Sequence, residues 1–180
     1  MSRLKLSEDE RQALQSFTQA LVRTPSPSGE EGAVADLIAA EMRGLGFDEV
    51  LLDEAGNVLG RVGPETGPAL MLNSHMDTVA ATDPAAWTRD PYAAAVSGGC
   101  LYGLGACDMK AGLAATVYAA AALRRNAVQL RGPVWVVAVG LEEPFEGTCT
   151  RGLMEAGRVR PQWVVVAEPS AVGVERQPAV

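Results

Sequence analysis

Apolar residues near the start of the chain recur at helical spacing. Leu14, Phe17 and Leu21 fall three to four positions apart, as they do on the buried face of a helix. Ser7 and Glu10 stand before them as a capping box, so a helix is predicted over Ser7–Thr24. "TPSPSG" at 24–29 ends it. Ser28 and Glu31 repeat the capping-box spacing. Val34, Leu37, Ile38 and Met42 then line one face of a second helix, which Gly44 and Gly46 stop. After this the period shortens. Glu49–Leu52, Val58–Val62 and Ala69–Asn73 read as strands separated by the turn segments "EAGN" and "GPETGP". An irregular stretch runs from Ala80 to Tyr102. Met109–Arg125 is Ala-rich and apolar on most faces, which predicts a buried helix. Val134–Val139 and Trp163–Ala167 are solid apolar strands, with a short helix predicted over Thr150–Ala156 between them. Helices alternating with such strands predict an α/β fold: a mixed, largely parallel sheet sandwiched by helices, in one domain.

Composition narrows the function classes. Hydrophobic residues make up 48% of the 180 positions, enough for a folded core and too many for disorder. The net charge of −7 argues against nucleic acid as a partner, because phosphate contacts need clustered Lys and Arg. No apolar run reaches membrane-spanning length, and no secretory leader pattern is present at the start. A cytoplasmic location is expected. The three cysteines, Cys100, Cys107 and Cys149, form no CxxC pair and read as buried free thiols rather than disulfides or metal ligands.

Four stretches carry candidate chemistry. "LNSHMDTV" holds His75, the sole histidine, with Asp77 two residues on. In extended chain both point to one face, so Asp77 can accept the second ring N–H of a metal-binding imidazole. The alternative is a histidine satisfied inside a core edge. "LYGLGACDMKAG" places Asp108 before the Met109 helix, where it could be a plain N-cap. Gly103 and Gly105 resemble half a dinucleotide fingerprint, but the third glycine position is Asp108, whose carboxylate would repel a pyrophosphate. "GLEEP" puts Glu142 and Glu143 directly after a strand. Adjacent side chains diverge, so one can ligate a metal while the other serves as a general base; otherwise they are a solvated acidic pair. "VVVAEPS" ends a strand with Glu168, a turn residue unless a cation meets it. Each stretch is ordinary alone. Together they set one imidazole and several carboxylates at the strand ends of one α/β sheet, where ligands gather. Such a donor set suits zinc, with cobalt or manganese as alternatives, and can hold two metals around a nucleophilic water. No GK[ST] or GxSxG motif occurs, which argues against a P-loop nucleotide site and a serine hydrolase.

On "SHMDTV", "WTRDPY", "LYGLGACDMKAGLAA", "GLEEP" and "VVVAEPS", with "TPSPSGEEG" and "DEAGNVLGRV" ahead of them, the chain resembles the dizinc amidohydrolase and exopeptidase family. That family includes acetylornithine deacetylase, succinyl-diaminopimelate desuccinylase, aminoacylase and glutamate carboxypeptidase. The resemblance implies a zinc-exopeptidase-like catalytic domain with two divalent ions. His75 and Glu168 would bind one metal, Asp108 would bridge the two, and Glu143 would bind the other. Glu142 would be the general base acting on a metal-bridging water, and Asp77 would orient His75. The implied reaction is hydrolysis of the amide or peptide bond of an N-acyl-amino acid or small peptide; the residues that contact this substrate are unknown. The alternative is a non-catalytic metal-binding fragment or pseudo-enzyme.

The sequence departs from the family pattern in three places. After Glu143 it reads "PFEGTCTRGL" where many members have a shorter Gly-rich turn. Ala111 stands where Gly is frequent. Members also carry a lid domain, through which they often form homodimers, and then a C-terminal catalytic segment with a second metal-binding histidine. By this resemblance residues 1–180 would correspond to the N-terminal part of the catalytic domain without the two later parts, and they hold no second histidine. Low activity, an exposed sheet edge and a tendency to associate are therefore expected of this chain alone.

Overall fold

The computed structural model describes residues 5–169. The terminal "GVERQPAV" segment lies outside the described residues.

Two helices open the chain: α1, Glu8–Arg23, and α2, Gly32–Gly44. The expected capping box of α1 forms, with Ser7 N–H donating to Glu10 Oε2 at 2.6 Å and Glu10 N–H to Ser7 Oγ at 3.3 Å. The second expected box does not. α2 begins without a side-chain cap, because Ser28 and Glu31 are engaged elsewhere: Ser28 Oγ donates to Asp77, and Glu31 accepts from Gly29 N–H and Leu141 N–H.

Three strands follow: β1, Glu49–Leu52; β2, Val58–Val62; and β3, Leu70–His75. The third is longer than the apolar pattern predicts, so His75 is its last residue. The expected irregular region contains a small antiparallel hairpin, β4, Ala95–Ser97, with β5, Cys100–Tyr102. α3 spans Ala111–Arg125, β6 Val134–Val139, α4 Glu142–Phe145, α5 Thr148–Glu155 and β7 Trp163–Val166. The acidic pair of "GLEEP" sits in the single turn α4, for which no helix is predicted, and α5 starts two residues before the predicted helix.

The five-stranded sheet runs β1-β2-β6-β3-β7. β6, β3 and β7 are mutually parallel, while β2 pairs antiparallel with both β1 and β6. The solid apolar run of β6 is explained by cover on both faces. Val134, Val136 and Ala138 join Phe17, Leu21, Val34, Ile38, Met42, Leu113 and Val117 under α1, α2 and α3. Val137 and Val139 join Leu59, Met71, Leu153 and Val159 on the side of α5. Side chains alternate along a strand, so Met71, Asn73 and His75 share the α5 face. Asn73 Nδ2 donates to Thr150 Oγ1 of α5 at 3.2 Å. Both edge strands are marginal to this core. In β7 all four residues are exposed, Trp163 most of all at 58%.

The thiols differ from expectation. Cys100 and Cys107 are exposed and Cys149 is half-buried. The first lies in the β4–β5 hairpin and the second in the turn before α3, and neither side chain reaches the core.

Candidate metal centre

Three parallel strands end at one edge of the sheet. His75 closes β3 and stands in register with Val139, the last residue of β6. Glu142 and Glu143 come three and four residues beyond β6, and Glu168 two residues beyond β7. Carboxyl ends of parallel strands are the open crevice of such sheets. Asp108 arrives from a different direction, in a kinked turn over Ala106–Lys110 ahead of α3. Its backbone is extended (φ −116°, ψ 98°), and α3 begins only at Ala111 with Lys110 in the N-cap position, so Asp108 is not the helix N-cap that its place in the sequence suggested. Met109, next to it, is fully buried, and its Sδ receives the His75 N–H at 3.1 Å.

The side chains converge on the imidazole. From His75 Nε2 the distances are 3.0 Å to Asp108 Oδ1, 3.9 Å to Glu168 Oε2 and 4.0 Å to Glu142 Oε2. Two donor groups satisfy the mutual distances of a metal site: His75, Asp108 and Glu143, and His75, Glu142 and Glu168. Every residue expected to ligate a metal is therefore brought together, and Glu142 stands among them. A cleft of about 690 Å³ opens on the site, lined by Asn73, His75, Glu142, Thr150, Arg151 and Glu168 among others.

Asp77 departs from the expected arrangement. The nearest partner of His75 Nδ1 is the Asp77 main-chain oxygen at 3.0 Å, and the carboxylate is 3.6 Å away. The carboxylate accepts instead from Ser28 Oγ at 2.7 Å, from Glu142 N–H at 3.1 Å and from Glu143 N–H at 3.2 Å. It bends away because two orphan N–H groups at the start of α4 need an acceptor. Asp77 thus fixes His75 with its backbone and the acidic pair with its side chain.

The electrostatics of the cluster call for a cation. Five carboxylates surround one imidazole. Burial opposes the charged form of His75, but Asp77, Asp108 and Glu168 outweigh it and push the ring up to about 9. Glu143 and Glu168 are both held above the usual carboxylate range, by burial first and then by Asp108 and other carboxylates beside them. Burial also opposes ionisation of Asp77, yet His75, Ser28 and the Glu142 and Glu143 N–H groups hold its carboxyl below the usual range. Hard oxygen donors with one imidazole fit zinc, cobalt or manganese, and bound positive charge would relieve the crowding among Asp108, Glu143 and Glu168.

Sequence reasoning missed Ser28 and Lys110 among the supports of this site: Ser28 is predicted as a cap, and nothing in the predicted elements singles out Lys110. Lys110 is fully buried, and its Nζ donates to Leu21 O and Thr24 O at 2.8 Å each. Burial pushes its ammonium down to about 8. A lysine two residues after a candidate ligand, in an otherwise small and apolar stretch, was the available signal.

Residues 71–177 match Peptidase family M20/M25/M40. The succinyl-diaminopimelate desuccinylase of Gluconacetobacter diazotrophicus is 38% identical over 163 residues, covering 83% of this chain and 41% of that protein. The uncharacterised protein YgeY of Escherichia coli is 32% identical over 174 residues, covering 96% of this chain and 43% of its own length. This chain therefore spans about two-fifths of the length of these relatives. Among solved structures, the M20 metallo-carboxypeptidase Sso-CP2 of Sulfolobus solfataricus superimposes with a TM-score of 0.74 at 20% identity, over 90% of this chain and 37% of that one. YxeP of Bacillus subtilis, described as a dinuclear metal binding peptidase of the M20 family, gives 0.67 at 20% identity, over 89% and 43%. Those two likenesses show a shared fold, and the sequence match shows descent. The chain belongs to Peptidase family M20/M25/M40, a family of metal-dependent hydrolases.

Proposed function

We propose that this chain carries the metal-binding half of the active site of an amidohydrolase, one that cleaves the amide bond of an N-acyl-amino acid or small peptide. The observation that carries the reading is the meeting of Asp108, Glu142 and Glu168 within 4.0 Å of one imidazole nitrogen at the carboxyl ends of β3, β6 and β7. The desuccinylase names of the relatives support an acylated amine as substrate.

His75 and Glu168 would hold one divalent ion, Glu143 the other, and Asp108 both. The bound ions would polarise the scissile carbonyl and stabilise the charge that develops on its oxygen. Glu142 takes the proton from the attacking water on its carboxylate and delivers it to the leaving amine nitrogen. It is suited to this because Asp77 anchors its backbone while its side chain, one-quarter exposed, lines the cleft. Asp77 keeps His75 in one orientation through its carbonyl oxygen. The native metal is zinc in this reading. The three free thiols fit a reducing, cytoplasmic setting.

The single histidine of these 180 residues favours a second reading, a metal-binding unit without hydrolytic activity of its own. Glu142→Gln separates the two. In the catalytic reading it lowers hydrolysis of N-succinyl or N-acetyl amino acids at least about 100-fold, the scale of a lost general base, while metal content stays that of the wild type. Equal hydrolysis by both proteins would contradict the assigned role, and a metal-loaded wild type without hydrolysis would favour the second reading.

A further inference from the structure

The turn that carries Glu142 and Glu143 is held from outside at four successive positions. Gly140 N–H donates to Asn57 Oδ1 at 3.1 Å and Leu141 N–H to Glu31 Oε1 at 2.9 Å. Glu142 and Glu143 N–H donate to the two oxygens of Asp77. The acceptors come from three different segments of the chain. None of these four N–H groups is closed by a helical or ladder bond of its own turn, so the turn has no internal means of keeping its shape.

Leu141 shows why a tether is needed there. Its backbone is left-handed, with φ 55° and ψ 26°, a conformation that an L-residue other than glycine adopts only at a cost. Such a conformation persists where its surroundings over-determine it, and it collects at functional sites. The group that grips it is a charged acceptor. Glu31 Oε1 also receives Gly29 N–H at 2.9 Å, which fixes the carboxylate against its own loop. Glycine at 140 leaves it room, since a Cβ there would lie 2.9 Å from Glu31 Oε1. Asn57 is itself pinned, fully buried and donating through Nδ2 to Asp53 Oδ2 at 2.9 Å.

We propose that Glu31, with Asn57 behind it, is a positioning residue that sets Glu142 and Glu143 by holding Leu141 in its left-handed conformation. This rests on the reading of Glu143 as a metal ligand and Glu142 as the base, and it assigns to Glu31 a task other than capping α2. A carboxylate or an amide oxygen can perform it; a methyl group cannot.

The test compares wild type with Glu31→Ala, Glu31→Gln and Gly140→Ala, and uses Glu30→Ala, an exposed neighbour, as control. Two quantities are read: amide hydrogen exchange of residues 140–143 in metal-free protein, and titration with cobalt(II) chloride followed by its visible spectrum. Glu31→Ala exchanges Leu141 N–H at least about tenfold faster and binds cobalt about 10- to 100-fold more weakly, the usual scale for an outer support of a metal site. Glu31→Gln stays within about threefold of wild type, because it keeps an acceptor oxygen. A merely structural glutamate would not show this rescue together with a changed cobalt spectrum. Gly140→Ala, which displaces the carboxylate without removing a polar group, reproduces the Glu31→Ala result and decides the matter if Glu31→Ala does not fold. Unchanged exchange and cobalt binding in Glu31→Ala and Gly140→Ala, or equal damage by Gln and Ala, overturns the proposal. If wild type binds no cobalt, the metal reading fails, and the exchange measurement alone still decides whether Glu31 holds the turn.

Discussion

Asp77 exposes no surface, and its carboxylate oxygens accept three hydrogen bonds from Ser28, Glu142 and Glu143. An amide in its place offers one oxygen instead of two. Asp77→Asn therefore strands one of the α4 N–H groups and turns an N–H donor toward another. We expect metal affinity to fall about 10- to 100-fold, with the folded structure retained by circular dichroism; isothermal titration with zinc measures it. Affinity equal to wild type would show that the side chain does not support the acidic pair. At this scale the ligands were legible because their types are scarce or oddly placed: one histidine in the whole chain, and acids directly after apolar strands. What Asp77, Ser28 and Glu31 bind was not legible. Their spacing says which face a side chain takes, but Asp77 and Glu31 accept from backbone N–H groups of a turn 65 to 110 residues away in sequence, and Ser28 donates to Asp77 across 49 residues.

At the scale of elements, α2 lies hard against β2. A Cβ on Gly60 would meet Met42 Sδ at 2.5 Å and Phe47 Cδ1 at 2.7 Å. Gly60→Ala should destabilise the fold by about 1–3 kcal/mol, as over-packing of a dense core does; the midpoint of urea unfolding reports it, and an unshifted midpoint would mean the helix moves aside freely. Between α2 and β1, Asp48 accepts from Gly63 N–H at 2.8 Å and from the Arg124 guanidinium. Burial raises its carboxyl, but these two partners outweigh burial and hold it below the usual range. Its contribution is then present above the unfolded-state value near pH 4 and fades as pH falls through the lower folded value. Asp48→Asn should cost about 1 kcal/mol at pH 7, with the difference from wild type shrinking below about pH 4; a difference that grows with acid would reverse the sign. The long helices α1, α2 and α3 and the buried strands β2 and β6 are legible from their periods, whereas the single turn α4 is too short to show one. The hairpin β4–β5 was missed because three-residue strands carry too few positions to establish alternation. The end of β3 was misplaced because Asn73, Ser74 and His75 are polar yet still pair with β6.

For the whole molecule, the sheet order places three strand ends, β3, β6 and β7, side by side, and the site is the chemistry set on that edge. This was legible in outline, since apolar strands alternating with helices imply parallel neighbours and a crevice at their carboxyl ends. The kinked turn that delivers Asp108 was not, because its backbone follows neither a helical nor an extended period. β7, with all four side chains exposed, carries Glu168 just past the sheet's edge strand and is the least covered support of the site. The central claim is that this edge binds divalent metal through these side chains. Its direct test is the metal content of purified residues 1–180 after equilibration with zinc, by inductively coupled plasma mass spectrometry, beside His75→Ala and Glu168→Ala. The account predicts at least one tightly held zinc per wild-type chain, none in His75→Ala, and a clear loss in Glu168→Ala. A wild type without zinc, or variants that retain as much as wild type, would contradict it.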